Sequence, residues 1–333
     1  MSRRILVLAH TGREDAMSAA QQACTQLHDS GLVPVMTRPE LMDLQATYGN
    51  GTAPTEILDD EVKLADVDLV MVLGGDGTIL RASELVRGSD VPLLGVNLGH
   101  VGFLAESERA DLAQTVQWVV ERAYTVEERM AIDVSVWHGH DKLAHTWALN
   151  EAAVEKASRE RMLEVAIEVD ERPLSSFGCD GVVMATPTGS TAYAFSAGGP
   201  VVWPEVEALL MVPISAHALF AKPLVVSPNS QLAVEILNRT DAFGVLWCDG
   251  RRTVELPPGS RVEVRRSSTP VRLARTHHAP FSERLVRKFE LPTTGWRGPT
   301  VHELSDDAAD APTIESVVSV DPHHNLSGTA GND

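Results

Sequence analysis

Apolar and polar residues fall into two kinds of pattern, one in the first third of the chain and another after it. Ile5-Leu6-Val7-Leu8-Ala9 is a continuous apolar run and predicts a strand buried on both faces. Ala16 to Leu27 has helical spacing and ends before Gly31, and Leu32 to Met36 predicts a second strand. Glu40 to Glu56 carries Gly, Asn, Pro and Thr without a clear period and reads as a loop or irregular insertion. Asp68 to Leu73 predicts a third strand, Ile79 to Val86 a helix with Ile79, Ala82 and Val86 on one face, and Pro92 to Val96 a fourth strand. Leu112, Val116, Val119, Val120 and Ala123 then recur at helical spacing. Strands and helices alternating at these lengths imply an α/β domain over 1–125, with a Rossmann-like, mostly parallel sheet covered by helices on both faces.

From Tyr124 onward the period shortens to two. Ile132 to Val136, Val165 to Val169, Leu232 to Ile236, Val262 to Val264 and Val271 to Leu273 alternate, with turn residues such as Asp170-Glu171-Arg172-Pro173 and Pro257-Pro258-Gly259-Ser260 between them. The expectation is an all-β, sandwich-like second domain over 126–275. A segment over 276–299 carries one more helix, Ser282 to Phe289, expected to pack back on the body. Beyond Pro299 there is no Lys or Arg and little large apolar content, so 300–333 reads as a disordered acidic tail.

The 333 residues allow about two domains, and a hydrophobic fraction of 44% supports a large core. A formal net charge of −18 argues against nucleic-acid binding, which needs Lys and Arg to neutralise phosphates. An anionic small substrate would then need local help from backbone N–H groups, a few Arg or a divalent cation. The three cysteines, Cys24, Cys179 and Cys248, are far apart and show neither metal nor disulfide spacing. No stretch reaches the roughly 18–20 apolar residues of a membrane span. A cytoplasmic protein with no membrane partner is the expectation.

Chemistry gathers at a few points. Gly74-Gly75-Asp76-Gly77-Thr78 follows the third strand and opens a helix, placing a carboxylate on a tight glycine turn at a helix N-terminus, where phosphates are favoured. Arg81 is one turn further on and offers a phosphate contact or a surface ion pair. Asn97-Leu98-Gly99-His100-Val101-Gly102-Phe103-Leu104 follows the fourth strand on the same ligand side of the sheet. Asn150-Glu151 pairs an amide with a carboxylate, suited to sugar hydroxyls or a base edge. Asp180-Gly181 leads through a short strand, Val182 to Ala185, into Thr186-Pro187-Thr188-Gly189-Ser190-Thr191-Ala192-Tyr193. That turn gathers four hydroxyls beside Tyr193, either for a heterocycle and ribose or as an ordinary Ser/Thr-rich turn. There is no Gly-x-x-x-x-Gly-Lys-Ser/Thr loop, no protein-kinase signature set, and no Gly-x-Gly-x-x-Gly after the first strand.

In order and spacing these segments, continued as Ala194-Phe195-Ser196-Ala197-Gly198-Gly199-Pro200, resemble the NAD kinase family over residues 3–290, and Phe177-Gly178-Cys179-Asp180-Gly181 is most similar to its actinobacterial form. The resemblance implies a two-domain fold with an NAD-binding second domain. It also implies phosphorylation of NAD at the adenosine ribose 2′-hydroxyl to give NADP, with ATP or inorganic polyphosphate as donor and Mg²⁺ as divalent ion. On that basis Asp76 is catalytic and faces the 2′-hydroxyl, with Gly74, Gly75, Gly77, Thr78 and Arg81 around it. Asn150 and Glu151 hold the adenosine, Thr188, Thr191, Ala192 and Tyr193 line the adenine subsite, and Asp180 and Ser196 lie toward the nicotinamide end. The Asp180 region implies a subunit interface, hence a homodimer or homotetramer. Gly178 stands where many members carry Arg, which implies broader use of NADH and polyphosphate. Two alternatives remain at this point: a lipid kinase of the diacylglycerol or sphingosine type, sharing the glycine turn, and a non-catalytic nucleotide sensor.

Overall fold

A computed structural model of the chain describes residues 2–10, 12–99, 102–105, 107–108, 111–159, 161–239, 241–276 and 280–293. His100, His277, His278 and the tail expected over 300–333 lie outside the described residues. Met1–Phe289 forms one unit and Glu290–Asp333 another, of which only 290–293 are described.

The first stretch runs β1 (Arg4–Ala9), α1 (Glu14–Asp29), β2 (Val33–Met36), α2 (Arg38–Tyr48), β3 (Glu56–Ile57), β4 (Leu69–Leu73), α3 (Asp76–Leu85), β5 (Leu93–Asn97), β6 (Ser107–Glu108), α4 (Leu112–Glu121) and β7 (Thr125–Arg129). Strands β3-β2-β1-β4-β5 pair parallel in that spatial order. Residues alternate between two cores because successive side chains on a strand point to opposite faces. Ile5, Val7 and Ala9 bury with Ala20 and Leu27 of α1 and Val116 of α4, whereas Leu6 and Leu8 bury with Ile79 and Ala82 of α3. Helices therefore cover both faces, as expected. The chain steps outward from β1 to β2 and β3, then returns to β4 on the other side of β1. The carboxyl ends of β1 and β4 are thus the switch point of the sheet, where α/β proteins open their binding crevice.

The second stretch is antiparallel. It runs β8 (Ile132–His138), β9 (Asp141–Ala148), β10 (Glu151–Lys156), β11 (Leu163–Val169), β12 (Arg172–Cys179), β13 (Gly181–Ala185), α5 (Tyr193–Ser196), β14 (Leu209–Ile214), β15 (Leu224–Val226), β16 (Leu232–Ile236), β17 (Gly244–Cys248), β18 (Arg252–Leu256) and β19 (Ser260–Arg266), before β20 (Val271–Arg275) and α6 (Phe281–Phe289). Two six-stranded sheets result, ordered β15-β14-β13-β10-β17-β18 and β12-β11-β16-β19-β8-β9. They share one core: Val134, Val165, Val234 and Val262 from one sheet bury with Val154, Val182, Met184 and Leu246 from the other.

Two expectations are corrected. The first half of the supposed loop over Glu40 to Glu56 belongs to the helix α2, Arg38–Tyr48. Its start carries Thr37-Arg38-Pro39-Glu40, a Ser/Thr-x-x-Glu sequence with Pro in the first turn, and the Thr37 hydroxyl donates to Glu40 at 2.7 Å. Only Leu41 and Leu44 supply buried apolar side chains, too few to show a helical period. The second correction concerns Val271 to Leu273, expected among the strands of the β-rich region. This strand, β20, joins the parallel sheet, with Leu273 opposite Leu93 of β5 and β7 antiparallel on its other side. Alternation identifies a strand but not its sheet.

Candidate active site

At the switch point β4 ends at Leu73, Gly74 and Gly75 make the turn, and α3 begins at Asp76. The Gly74 N–H donates to the Val96 carbonyl at 2.9 Å and the His10 N–H to the Leu73 carbonyl at 3.1 Å, so the turn is pinned between β1 and β5. A Cβ on Gly74 would stand 2.4 Å from the buried Thr78 hydroxyl, so Thr78 packs beneath the turn. The half-buried Asp76 carboxylate accepts from the backbone N–H of Phe103 at 3.0 Å and of Leu104 at 3.1 Å. Gly102 makes that approach possible, since a Cβ there would lie 2.3 Å from Asp76 Oδ1. Gly102, Phe103 and Leu104, which have no assigned role in the sequence reading, are therefore the brace of the carboxylate.

The Asn150–Glu151 turn sits beside this mouth. Leu149 is buried in the same cluster as Ile79 of α3 and Leu104 of the brace. Asp249, at the end of β17, accepts three backbone N–H groups, from Leu149 at 2.9 Å, Asn150 at 2.7 Å and Glu151 at 3.3 Å, and receives Arg252 at 2.8 Å. Sequence reasoning missed this pair. The signal for Asp249 is a second strand ending in Asp-Gly, Cys248-Asp249-Gly250, and Arg252 opens the next strand. Arg252 and Arg87 stack on Trp147, at 4.6 and 4.2 Å from its rings, and Arg252 also reaches Glu84 of α3 at 3.3 Å. The helix carrying Asp76 is thereby tied to the turn carrying Asn150.

Burial, with the nearby Asp249 charge, pushes the Glu151 carboxyl up to about 8. Burial raises Asp249 as well, against its backbone donors and Arg252. Of the two, Asp249 has the better set of donors, while Glu151 accepts one N–H, from Tyr193 at 3.3 Å. Glu151 is therefore the carboxyl of the pair that burial favours in its neutral form, and as a neutral acid it could donate to a ring nitrogen or ribose oxygen.

The Thr188–Thr191 segment is a single turn lying against Asn150. A Cβ on Gly189 would stand 2.0 Å from the Asn150 carbonyl oxygen, so only glycine permits this contact. The hydroxyls expected to gather here are largely spent within the fold. Thr186 donates to the Leu149 carbonyl at 2.6 Å, Ser190 to that of Pro187 at 2.7 Å, and Thr191 to that of Thr188 at 3.2 Å. Ala192, Tyr193 and Ser196 face outward beyond the turn, with the Tyr193 hydroxyl on Glu155. Arg81 is directed elsewhere: its Nη2 donates to buried Glu40 and to the Ala9 carbonyl, both at 2.7 Å, so a phosphate would have to compete with a buried carboxylate.

Asp180 and Gly178 form a second group. Strands β10 and β13 pair Glu151 with Ala185 at one end and Glu155 with Gly181 at the other. Asp180, one residue beyond Gly181, therefore lies about 17 Å along the same strand pair from Glu151, a span that an extended dinucleotide could follow. Lys156, 2.5 Å away, holds its carboxyl below the usual carboxylate range. Gly178 bridges to His217 and borders a cavity of about 800 Å³ with Met162, Phe177 and Arg239. A Cβ on Gly178 would meet the end of the flexible Met162 side chain at 2.8 Å.

Family models for the ATP-NAD kinase N-terminal domain and the ATP-NAD kinase C-terminal domain match residues 5–124 and 149–276. The NAD kinase of Leifsonia xyli subsp. xyli is 63% identical over 297 residues, spanning 89% of this chain and 97% of that protein. NAD kinase 2 of Streptomyces coelicolor is 60% identical over 300 residues, with the same 89% and 97% coverage. Among solved structures, yeast NADH kinase complexed with NADH superposes with a TM-score of 0.79 at 22% identity, covering 88% of this chain and 89% of that one. An NAD kinase from Archaeoglobus fulgidus in complex with ATP gives 0.64 at 26% identity, covering 87% and 99%. These matches give no support to the lipid-kinase or sensor alternatives.

Proposed function

The chain belongs to the NAD kinase family, and from that footing we propose that Asp76 receives the proton of the adenosine ribose 2′-hydroxyl as a phosphoryl group arrives from ATP. The enzyme makes NADP from NAD. In the step itself the hydroxyl O–H bond breaks and its proton passes to Asp76. A new bond forms between the ribose oxygen and the γ-phosphorus, the bond from that phosphorus to the β–γ bridging oxygen breaks, and ADP leaves. Phosphoryl transfer asks for alignment and charge neutralisation more than covalent help. The observation that carries the reading is a carboxylate fixed by two backbone N–H groups on a glycine-edged turn at the sheet's switch point, beside Asn150 and Glu151.

Asn150 and Glu151 hold the adenosine, Thr188 to Tyr193 line the adenine, and the dinucleotide runs along β10 and β13 toward Asp180, with Ser196 and Gly178 at the far end. The lack of a side chain at Gly178 admits NADH and supports use of polyphosphate. A divalent ion, Mg²⁺, supplies charge neutralisation when bound. Both Asp76 oxygens already accept N–H groups, and no three His, Cys, Asp or Glu side chains cluster among the described residues, so the ion's ligands come mainly from the donor phosphates. Leu219 and Phe220, fully and largely exposed near the Asp180 end, support a homodimer or homotetramer. No helix among the described residues is long and apolar enough to cross a membrane, and the three free buried cysteines favour the cytoplasm.

NADP formation from NAD, ATP and Mg²⁺, followed through an NADP-specific dehydrogenase, tests this directly. NADH, polyphosphate and EDTA are run in parallel. Product with ATP that EDTA abolishes is expected; absence of product, or indifference to EDTA, contradicts the reading.

A further inference from the structure

The two residues that brace Asp76 are themselves gripped from behind. Arg284 of α6 donates through Nη1 to the Phe103 carbonyl at 3.0 Å, and Arg275 of β20 donates through Nη1 to the Leu104 carbonyl at 3.2 Å. The Phe103 carbonyl and the Leu104 N–H belong to one planar peptide group. A guanidinium thus acts on one end of an amide whose other end donates to Asp76 Oδ1. A cation at the carbonyl polarises the N–H opposite and fixes the plane in which it points.

The element that delivers Arg284 is held by this region. No residue of α6 is fully buried, so the helix is not anchored by a core of its own. Its Phe281 and Phe289 rings pack against Phe103, each at 5.8 Å. Phe289 also meets Phe195 of α5, two residues beyond Tyr193, at 4.5 Å. One short helix therefore touches the brace of the catalytic carboxylate and the helix that follows the turn assigned to adenine. Arg275 is a fixed part of its sheet, buried and paired with Glu127 at 2.8 Å. Arg284 arrives on the last helix and is only half-buried, which makes it the separable half of the grip.

We propose that Arg284 is a positioning residue for phosphoryl transfer, acting on Asp76 through the Phe103–Leu104 peptide without touching substrate. The proposal rests on the reading of Asp76 as proton acceptor. A residue that only stabilised α6 would affect folding and binding; one that aims the carboxylate affects turnover at constant affinity.

The experiment uses the full chain with Arg284→Gln and Arg284→Lys, measuring kcat, KM for both substrates, NAD affinity by calorimetry and thermal unfolding. Arg284→Gln is expected to lower kcat by about 10–100-fold, the scale of a misplaced catalytic group, with NAD affinity within about threefold of wild type. Arg284→Lys, which keeps a cationic donor for the same carbonyl, recovers most of the loss. A kcat for Arg284→Gln within twofold of wild type overturns the proposal, as does a kcat loss matched by an equal loss of NAD affinity without rescue by Lys. Asp76→Asn is assayed beside them. An active Asp76→Asn overturns the reading of Asp76, whereas an inactive one with normal Arg284→Gln overturns the role of Arg284 alone.

Discussion

Removing the Asp249 carboxylate should open the Asn150–Glu151 turn before it unfolds the protein. In Asp249→Ala the backbone N–H groups of Leu149, Asn150 and Glu151, at 2.9, 2.7 and 3.3 Å from the lost oxygens, have no side chain to receive them. A buried donor left unsatisfied costs about 1–3 kcal/mol, and the longest of these bonds belongs at the low end. Arg252, 2.8 Å from Asp249, loses its short contact as well but retains Glu84. Against this, deleting a buried carboxylate removes its own desolvation cost, so the net falls to about 3–5 kcal/mol, typical of breaking a buried ion pair. Asp249→Asn keeps an acceptor oxygen and should cost about 1–2 kcal/mol. Against a domain stability of about 5–15 kcal/mol, Asp249→Asn stays folded and Asp249→Ala stays folded wherever the wild type exceeds the low end of that range. The strain appears as displacement of Asn150 and Glu151, and a loss of NAD affinity of tenfold corresponds to about 1.4 kcal/mol. Urea unfolding and calorimetric NAD titration measure the two effects. If Asp249→Ala unfolds within about 1 kcal/mol of wild type and binds NAD with unchanged affinity, the assigned role of Asp249 is refuted.

Two further perturbations follow from the site. The enzyme should turn over NADH at no less than about a hundredth of its NAD rate, a difference of about 2.7 kcal/mol. Gly178→Arg, whose Cβ would meet only the end of the flexible Met162 side chain, should reduce NADH and polyphosphate use more than NAD and ATP use, and equal losses in all four contradict the selectivity assigned to Gly178. Glu151, raised from 4.5 to about 8, holds a proton in the folded state that the unfolded chain has released, so stability falls as pH rises through that window and levels off above it. Glu151→Gln should flatten this slope in urea unfolding between pH 5 and about 9, and parallel profiles for variant and wild type would show that Glu151 is ionised throughout.

What was legible in the sequence was whatever local pattern determines. Continuous apolar runs identified β1 and β4, and period-two alternation identified β8, β11, β16 and β19, which all belong to one sheet of the sandwich, while most strands of the other sheet carried no such period. The glycine turn announced Asp76 because strand, turn and helix are adjacent in the chain. The role of Asp249 was not legible, because the backbone N–H groups it receives lie 98 to 100 residues away, and its Asp-Gly strand end and nearby Arg252 do not point to them. The same distance hid the brace: Phe103 and Leu104 act on Asp76 through backbone N–H groups, which every non-proline residue possesses. The Thr/Ser turn offered two readings, ligand binding or internal bonding, and composition could not separate them. Three of its four hydroxyls donate to carbonyls within the fold and hold the turn against Asn150 and Val202. Arg81 carried no sign that Glu40, on a helix missed for want of an apolar stripe, would claim its guanidinium.

The most direct measurement of the role of Asp76 is single-turnover NADP formation by Asp76→Asn, quenched on the millisecond scale, with NAD affinity measured on the same preparation. The amide cannot accept the ribose proton, yet it is nearly isosteric and leaves Asn150, Glu151 and Asp249 in place. NAD should bind within about threefold of wild type while the rate of NADP formation falls at least about 100-fold, the contribution of a positioned base. A rate within tenfold of wild type at normal affinity would mean that the ribose proton leaves by another route.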